Sequence, residues 1–537
     1  MRITYLKNGK KYSTRYSNKD LIIETKVINH RTTVKVIALE DITLVEATEW
    51  VPFNVNFHDH YFLNGYQSWT DTNEYKLAKR LRNVKKSPHI ITKSFALDKY
   101  GDSTFYKYSI KKSHGYDVFY SKGREECFIY SLNYECAYLI IELIKDRSDI
   151  HLISDINNWK LFRGDEATVF DYYLCYNYEQ GLASFHNAYP KREIEKVFGY
   201  TSWYNYYQNI NEEIILRDLD ALDNRFNVFQ IDDGYETFVG DWLDVDPAKF
   251  PNGLKPIVDK IHSRGYKAGL WLAPFVAESK SKVFKEHKNW FKKTKKGTFV
   301  KAGANWSGFY SLDLDNKDAV NYIKKCLTHY MDMGFDFFKL DFLYAVGLDN
   351  YDGRTRCMVQ GDAYKLLHDT LKDKLILGCG ANIINSYLNF DYLRIGPDVS
   401  LKFDDIPLMR LFHRERISTK VTLKNTIFRS IFNGHLFGND PDVFLLRDDN
   451  IELSVKQRRA LTIINALFGS VLMTSDDIAT YDEQKKATLK EALDIFQHAE
   501  VTFYETQGKK VAIRYQLNGI EHSFKYNTTK GVLEDER

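Results

Sequence analysis

The chain has 537 residues, too many for one compact domain, so two to four domains are expected. Hydrophobic residues make up 44% and charged residues 27%, a balance that excludes a disordered chain. Basic residues number 75 against 72 acidic, and the net charge of +3 gives no electrostatic case for a nucleic-acid or membrane partner.

The N-terminus, MRITYLKNGKKYSTRYSNKD, lacks the apolar core and small-residue cleavage site of a secretion signal. The most apolar long stretch, LTIINALFGSVLM (461–473), falls short of the ~20 residues that span a bilayer. The six cysteines (Cys127, Cys136, Cys175, Cys326, Cys357, Cys379) lie far apart with no CxxC pair, and read as free thiols of a reducing compartment. A soluble, cytoplasmic protein is expected.

Residues 1–180 read as β-rich. LIIETKVI, TTVKVIALE, CFIYSL, AYLIIELI and TVFDYYLCY are short, β-branched and aromatic, and turn-forming residues punctuate them. That pattern predicts an antiparallel sandwich. GLASFHNAYPKREIEK (181–196) reads as a helical connector. From 197 to 478 apolar strand-like runs alternate with amphipathic stretches: VFGYTSW then NEEIILRDLDALDNRF, VFQIDDG then LKPIVDKIHSRG, and KAGLWLAP. FYSLDLD leads into KDAVNYIKKCLTHYMDMG, then come FDFFKLDF, AYKLLHDTLK, LILGCG and YLRIGPD, with two more helix–strand units behind them. About eight such units predict a (β/α)8 TIM barrel; no GxGxxG follows the first strand to favour a doubly wound sheet. Residues 479–537 open on a helix, EQKKATLKEALDIF, and close on the hairpin-like VAIRYQL and IEHSFKYN, a small C-terminal β-domain.

A TIM barrel carries its chemistry at the C-terminal ends of its strands. Predicted strands end here on Asp232-Asp233, Asp341 and Asp398, and the last two lead to Asp440, Asp442, Asp476 and Asp477. Any one of these could cap a helix; several converging on one mouth form a site. In FFKLDF, Lys339 and Asp341 are two apart and leave the same face of a strand, where the ammonium would lower the carboxyl pKa and ready a nucleophile. In YLRIGPD, Arg394 and Asp398 flank a Gly-Pro turn, and an acid in an apolar setting there could keep its proton for a leaving group. Structural ion pairs are the plainer reading of each. Two carboxylates ringed by aromatics (37 Tyr, 35 Phe and 8 Trp in all) are the parts of a glycosidase. Mg²⁺ on Asp232, Asp341 and Asp398 is the metal alternative, against which Lys339 weighs. No metal or cofactor is expected.

At these residues the chain resembles the α-galactosidases of glycoside hydrolase family 36, in their compact bacterial form. The resemblance rests on FGYTSWYNYYQNINEE, VFQIDDGYE with GDWL, AGLWLAPF, FYSLDL, FFKLDFLYA, ILGCGA, RIGPDV, GNDPD and SDD, in family order across roughly 200–477. It implies a retaining enzyme acting on small α-galactosides of the melibiose or raffinose type, with Asp341 as nucleophile and Asp398 as acid/base. Asp232 and Asp233 would bind the carbon-4 and carbon-6 hydroxyls, and Lys339, Cys379 and Arg394 the remaining ones. Trp203, Tyr204, Trp271 and Trp306 would line the pocket, with Trp69 of NGYQSW (64–69) lent by the β-domain. Two departures stand out: Gly-Tyr (199–200) replaces the commoner Gly-Trp, and the SCxGGGRxD form is missing, which places the acid on Asp398 rather than Asp391. An α-N-acetylgalactosaminidase, a galactosyl transferase, a catalytically silent sugar-binding barrel and a metal-dependent lyase or isomerase are the alternatives. The oligomeric state is not legible.

Overall fold

The computed structural model describes residues 1–56, 58–76, 94–109, 111–145, 147–156, 158–349, 352–404, 409 and 413–537. Two antiparallel sheets form the N-terminal sandwich. One runs Lys10–Thr14, Arg2–Lys7, Ile42–Pro52, Asp149–Ser154, Leu139–Ile144 and Lys112–Tyr116, with Trp159–Leu161 beside Ile42–Pro52. The other runs Leu21–Ile28, Arg31–Ala38, Glu166–Cys175, Glu126–Ser131, Val118–Lys122, His60–Leu63 and Asn73–Lys76. Alternation sets the buried face: in Arg31–Ala38, Val34, Val36 and Ala38 turn inward against Leu44, Ile141 and Phe119. The second sheet is buried on its other face too. Phe62 stacks on Tyr120 at 4.6 Å and Tyr130 on Tyr173 at 5.1 Å, and Phe128 and Tyr130 pack against Phe185 of the connector. The aromatic excess of the sequence therefore fills the seam between sandwich and barrel.

The connector helix is Tyr178–Ala188, capped by Asn177, whose side chain accepts from the Gln180 N–H. It stops short of the predicted 196 because Pro190 disfavours helix at Tyr189. Residues 191–196 then run without regular structure, tied down by Arg192 to the Phe390 and Leu436 carbonyls at 3.1 and 2.8 Å.

Eight strand positions close the barrel. They are Val197–Thr201, Val228–Ile231, Lys267–Leu272, Phe337–Leu340, Leu375–Gly378, Tyr392–Arg394, a seventh split into Gly438–Asp440 and Val443–Phe444, and Val471–Thr474. Val197 pairs in parallel with Val471, and the two halves of the seventh strand pair with the sixth and the eighth, so no edge remains. Outer helices include Glu212–Ala221, Lys255–Ser263, Lys317–Met333, Arg356–Leu371, Thr419–Phe428 and Val455–Phe468. FYSLDLD does not join the barrel. Phe309–Ser311 pairs with Val276–Glu278 and Lys301–Gly303 in a small antiparallel sheet on the loop after the third strand. That strand is paired on both sides within this small sheet, which leaves no edge for the barrel ladder. Helix Glu483–His498 precedes a four-stranded antiparallel sheet, Glu500–Gln507, Lys510–Leu517, Ile520–Asn527 and Val532–Glu534. Among the described residues no helix is long and apolar enough to cross a membrane.

Candidate active site

The fourth strand, Phe337–Leu340, is buried along its length, and Lys339 pairs in register with Trp271 of the third. Lys339 and Asp341 do share a face, but the ion pair forms elsewhere: Lys339 Nζ lies 2.8 Å from Asp232 Oδ2, at the end of the second strand. Gln230 Nε2 and Thr201 Oγ1 donate to the same oxygen at 2.6 and 3.1 Å. Burial works against the Lys339 charge, yet Asp232 prevails and holds it above the usual lysine range. Asp341 keeps an edge in solvent at the mouth and accepts from Trp271 Nε1 at 3.0 Å and from the Phe342 N–H at 2.8 Å. That second bond needs Phe342 at φ 54, a left-handed backbone an aromatic residue rarely adopts. Burial pushes the Asp341 carboxyl up to about 6, against the downward pull of Lys339 and Trp271; the charge of Asp398 adds to the rise. Lys339 does pull this pKa down, as expected, but desolvation outweighs an ammonium already paired with Asp232, and the net shift is upward.

Asp233 faces the neighbouring wall. Gln208 Nε2 donates to both its oxygens at 3.1 Å and Trp306 Nε1 to Oδ2 at 2.9 Å. Burial raises its carboxyl, and a hydrogen bond shared with Glu236 lowers it. Burial and the Asp233 charge together keep Glu236 protonated well above the carboxylate range. Glu236 lies two residues after the Asp-Asp-Gly turn and was within reach of sequence reasoning; nothing in the sequence singles out Gln208 or Thr201.

Arg394, on the sixth strand, is buried and meets three carboxylates. Nη1 lies 2.9 Å from Asp398, Nε 3.0 Å from Asp440 and Nη2 2.8 Å from Asp442. Asp442 interrupts the seventh strand at φ 74 and accepts from the Val399 N–H at 2.7 Å and from the Tyr204 hydroxyl. Its burial pushes the carboxyl up to about 7 in spite of Arg394. The apolar setting predicted for Asp398 is absent: its partner is a guanidinium, and its side chain is 35% exposed. Asp440 and Asp442 were legible as strand-end acids but not as partners of Arg394. Asp476 is structural, held by Arg447 at 2.9 Å, and Asp477 caps the short turn Ile478–Thr480.

The aromatics gather in two groups. Trp69, Trp271 and Trp306 surround Asp341: Trp69 lies 5.5 Å and Trp306 5.2 Å from the Phe342 ring, and Trp271 lies 6.2 Å from Trp306. Trp69 arrives from the β-domain on the loop Asn64–Trp69, whose Ser68 N–H donates to the Ala381 carbonyl at 2.9 Å. Gly380 makes room for it; a Cβ there would come within 3.1 Å of the Trp69 ring, and the φ of +66 is itself a glycine conformation. Trp203 and Tyr204 lie on the short helix after the first strand, Trp203 half-buried against Tyr207 and Tyr204 buried on Asp442. Cys379, ending the fifth strand, is buried, and burial together with the Asp341 charge keeps its thiol protonated. Among the described residues no cluster of His, Cys, Asp and Glu has the arrangement of a metal site. Two carboxylates at one barrel mouth, set among aromatic walls and fixed polar groups, have the chemistry to attack a sugar's acetal carbon and protonate its oxygen.

Comparison with known proteins adds to this geometry. Residues 185–364 match the melibiase family model. The chain is similar to α-galactosidase Mel36A of Lactobacillus acidophilus, 27% identical over 239 residues that make up 40% of this chain and 32% of that protein. It is also similar to α-xylosidase XylQ of Lactiplantibacillus pentosus, 32% identical over 141 residues, 25% of this chain and 18% of that protein. The matches thus span about a third or less of these curated relatives. Among solved structures, TtGalA, an α-galactosidase from Thermus thermophilus in complex with stachyose, superposes with a TM-score of 0.70 at 25% identity, covering 91% of this chain and 99% of that one. The family 36 α-galactosidase AgaA from Geobacillus stearothermophilus gives 0.63 at 12% identity, over 96% and 72%.

Proposed function

We propose that this chain is a glycoside hydrolase family 36 enzyme, a retaining α-galactosidase releasing terminal α-D-galactosyl residues from small α-galactosides of the melibiose or raffinose type. One observation carries the reading: Asp341, bonded by Trp271 Nε1, and Asp398, bonded by Arg394, follow the C-terminal ends of the fourth and sixth strands of one barrel, with Asp232 and Asp233 at the end of the second. In the first step Asp341 Oδ bonds to the galactosyl anomeric carbon while the glycosidic C–O bond breaks, and the Asp398 proton goes to the departing oxygen. In the second, water attacks that carbon, gives a proton to Asp398 and expels Asp341, with net retention. Asp232, fixed by Lys339, and Asp233, fixed by Gln208 and Trp306, offer acceptors for the carbon-4 and carbon-6 hydroxyls. An epimer that leaves such buried acceptors unpaired is rejected strongly. Lys339, Cys379 and Arg394 are assigned to the other ring hydroxyls, with Arg394 doing so through the second N–H groups of Nη1 and Nη2. Trp69, Trp203, Tyr204, Trp271 and Trp306 supply stacking faces. The six unpaired thiols suit a cytoplasmic setting.

A proton NMR time course with 4-nitrophenyl α-D-galactoside tests this directly. α-Galactose should appear first and mutarotate later; initial β-galactose would mean inversion and remove Asp341 as nucleophile. The matching α-xyloside, which lacks the carbon-6 hydroxymethyl group and carries its carbon-4 hydroxyl in the equatorial orientation, should be turned over at least a hundredfold more slowly, since Asp232 and Asp233 both lose a partner. Equal rates on the xyloside, or a preference for the N-acetylgalactosaminide, would reassign the substrate.

A further inference from the structure

Arg394 beside a general acid poses a chemical problem. A guanidinium holds a lone carboxylate ionised, and an ionised Asp398 cannot give a proton to a leaving group. The geometry around Arg394 removes the difficulty. Asp440 takes its Nε side at 3.0 Å and Asp442 its Nη2 side at 2.8 Å, so three carboxylates share one positive charge. We propose that Asp442 is a positioning residue for proton transfer: by occupying the Nη2 side of Arg394 it leaves Asp398, on Nη1, able to take up and release a proton. The proposal rests on the acid/base role given to Asp398 above and extends it to a residue that has no place in the pocket itself.

Asp442 is built for this position. It sits where the seventh strand breaks, at φ 74, and the break aims its carboxylate along the barrel mouth instead of into the ladder. The Val399 N–H, one residue beyond Asp398, donates to Asp442 at 2.7 Å, and the Tyr204 hydroxyl closes the same oxygen. The Asp442 N–H in turn donates to Asp440 at 2.8 Å, which fixes the two acids relative to each other. The groups facing the cluster are accounted for element by element. Arg394 comes from the sixth strand and Asp440 from the seventh, while Tyr204 and Tyr207 come from the helix after the first. Asp341 acts on Asp398 from the fourth strand, and Cys379 on Arg394 from the fifth. Lys339 also faces the cluster from the fourth strand but is paired with Asp232, so Arg394 is the cation that the three carboxylates contact. Burial, with the neighbouring Asp398 charge behind it, pushes the Asp442 carboxyl up to about 7, so its charge on Arg394 is present on the basic side of neutrality, where the general acid must keep its proton.

Asp442→Asn tests the role, because asparagine tolerates a left-handed backbone and keeps an acceptor for Val399 and Tyr204 while losing the charge. Two substrates separate proton donation from all else: raffinose, whose alcohol leaving group needs the proton, and 4-nitrophenyl α-galactoside, whose phenolate hardly does. The basic limb of kcat/KM for raffinose should fall by about one pH unit, and the ratio of raffinose to nitrophenyl activity should drop roughly tenfold at pH 8. Asp440→Asn removes a charge from the other side of Arg394, should move the limb the same way, and serves where Asp442→Asn does not fold. Equal losses on both substrates with the limb unmoved in either variant would make Asp442 a mere prop and overturn the proposal. Asp398→Ala with azide checks the underlying assignment. α-Galactosyl azide supports Asp398 as acid/base; no adduct would bring down that assignment, and the role of Asp442 with it, in a way the limb measurement alone would not show.

Discussion

At Asp341 burial and charge oppose each other, and the balance sets both rate and stability. As the proposed nucleophile Asp341 must be ionised, and burial has pushed its carboxyl up to about 6. The acidic limb of kcat/KM should therefore bend near pH 6, with a tenfold loss per unit below it; a limb near pH 4 would mean that Lys339 dominates after all. The same shift costs stability. An acid whose folded pKa lies above its unfolded value of about 3.9 destabilises the fold at every pH above the folded pKa, here by the order of 2–3 kcal/mol at pH 7. Asp341→Asn should accordingly abolish turnover by at least a thousandfold while raising Tm at pH 7 and not at pH 4. The sequence made Lys339 and Asp341 legible because strand alternation alone puts them on one face. It could not show that Lys339 reaches past the third strand to Asp232, since that depends on how far apart nonadjacent strands stand in a closed barrel.

Among the elements, the loop Asn64–Trp69 receives more of its bonds from one side chain than from any other, with Asn382 adding another at the Tyr66 carbonyl. Arg429 is buried and donates to Asn64 Oδ1 at 3.0 Å, to the Gln67 and Ser68 carbonyls at 3.1 and 2.5 Å, and across to the Ile395 carbonyl at 2.8 Å. Burial brings its guanidinium down to about 9, so it remains charged at neutral pH. Arg429→Met fills much of the volume but strips four buried acceptors, each costing roughly 1 kcal/mol or more. A fall in stability of about 3–5 kcal/mol in urea unfolding is expected, with a rise in KM as Trp69 loses its place. An unchanged KM would show that Trp69 does not touch the substrate. NGYQSW was readable as a motif, whereas Arg429, deep in the chain and without a charged partner, was not. The alternation of strands and helices was legible from the buried runs that only a closed parallel barrel tolerates. FYSLDLD was misplaced for the same reason: a short apolar strand looks alike in the barrel wall and in a loop's own sheet.

Across the whole molecule, sandwich, connector and barrel meet along aromatic seams, and composition announced the aromatics without announcing the seams. One of these contacts carries a pH dependence. His186 of the connector helix and His435, before the seventh barrel strand, stack face to face with centroids 3.9 Å apart. His435 Nδ1 is bonded to the Tyr189 carbonyl at 2.7 Å. Burial first, and the neighbouring ring second, lower His186 to about 4; burial also lowers His435, against the Tyr189 carbonyl. A histidine with a depressed folded pKa favours the fold while neutral. That contribution is complete above the unfolded pKa of about 6.5 and is lost as pH falls through 4. Acid should therefore loosen the joint between the two large units before it reaches the barrel. His186→Phe keeps a ring against His435 but has no charge to gain. Its Tm should match the wild type at pH 7.5 and exceed it at pH 4.5, and amide exchange in Tyr178–Ala188 should rise on acidification in the wild type and much less in the variant. Parallel Tm curves for the two proteins would place the acid sensitivity elsewhere and leave the stacked pair a passive contact.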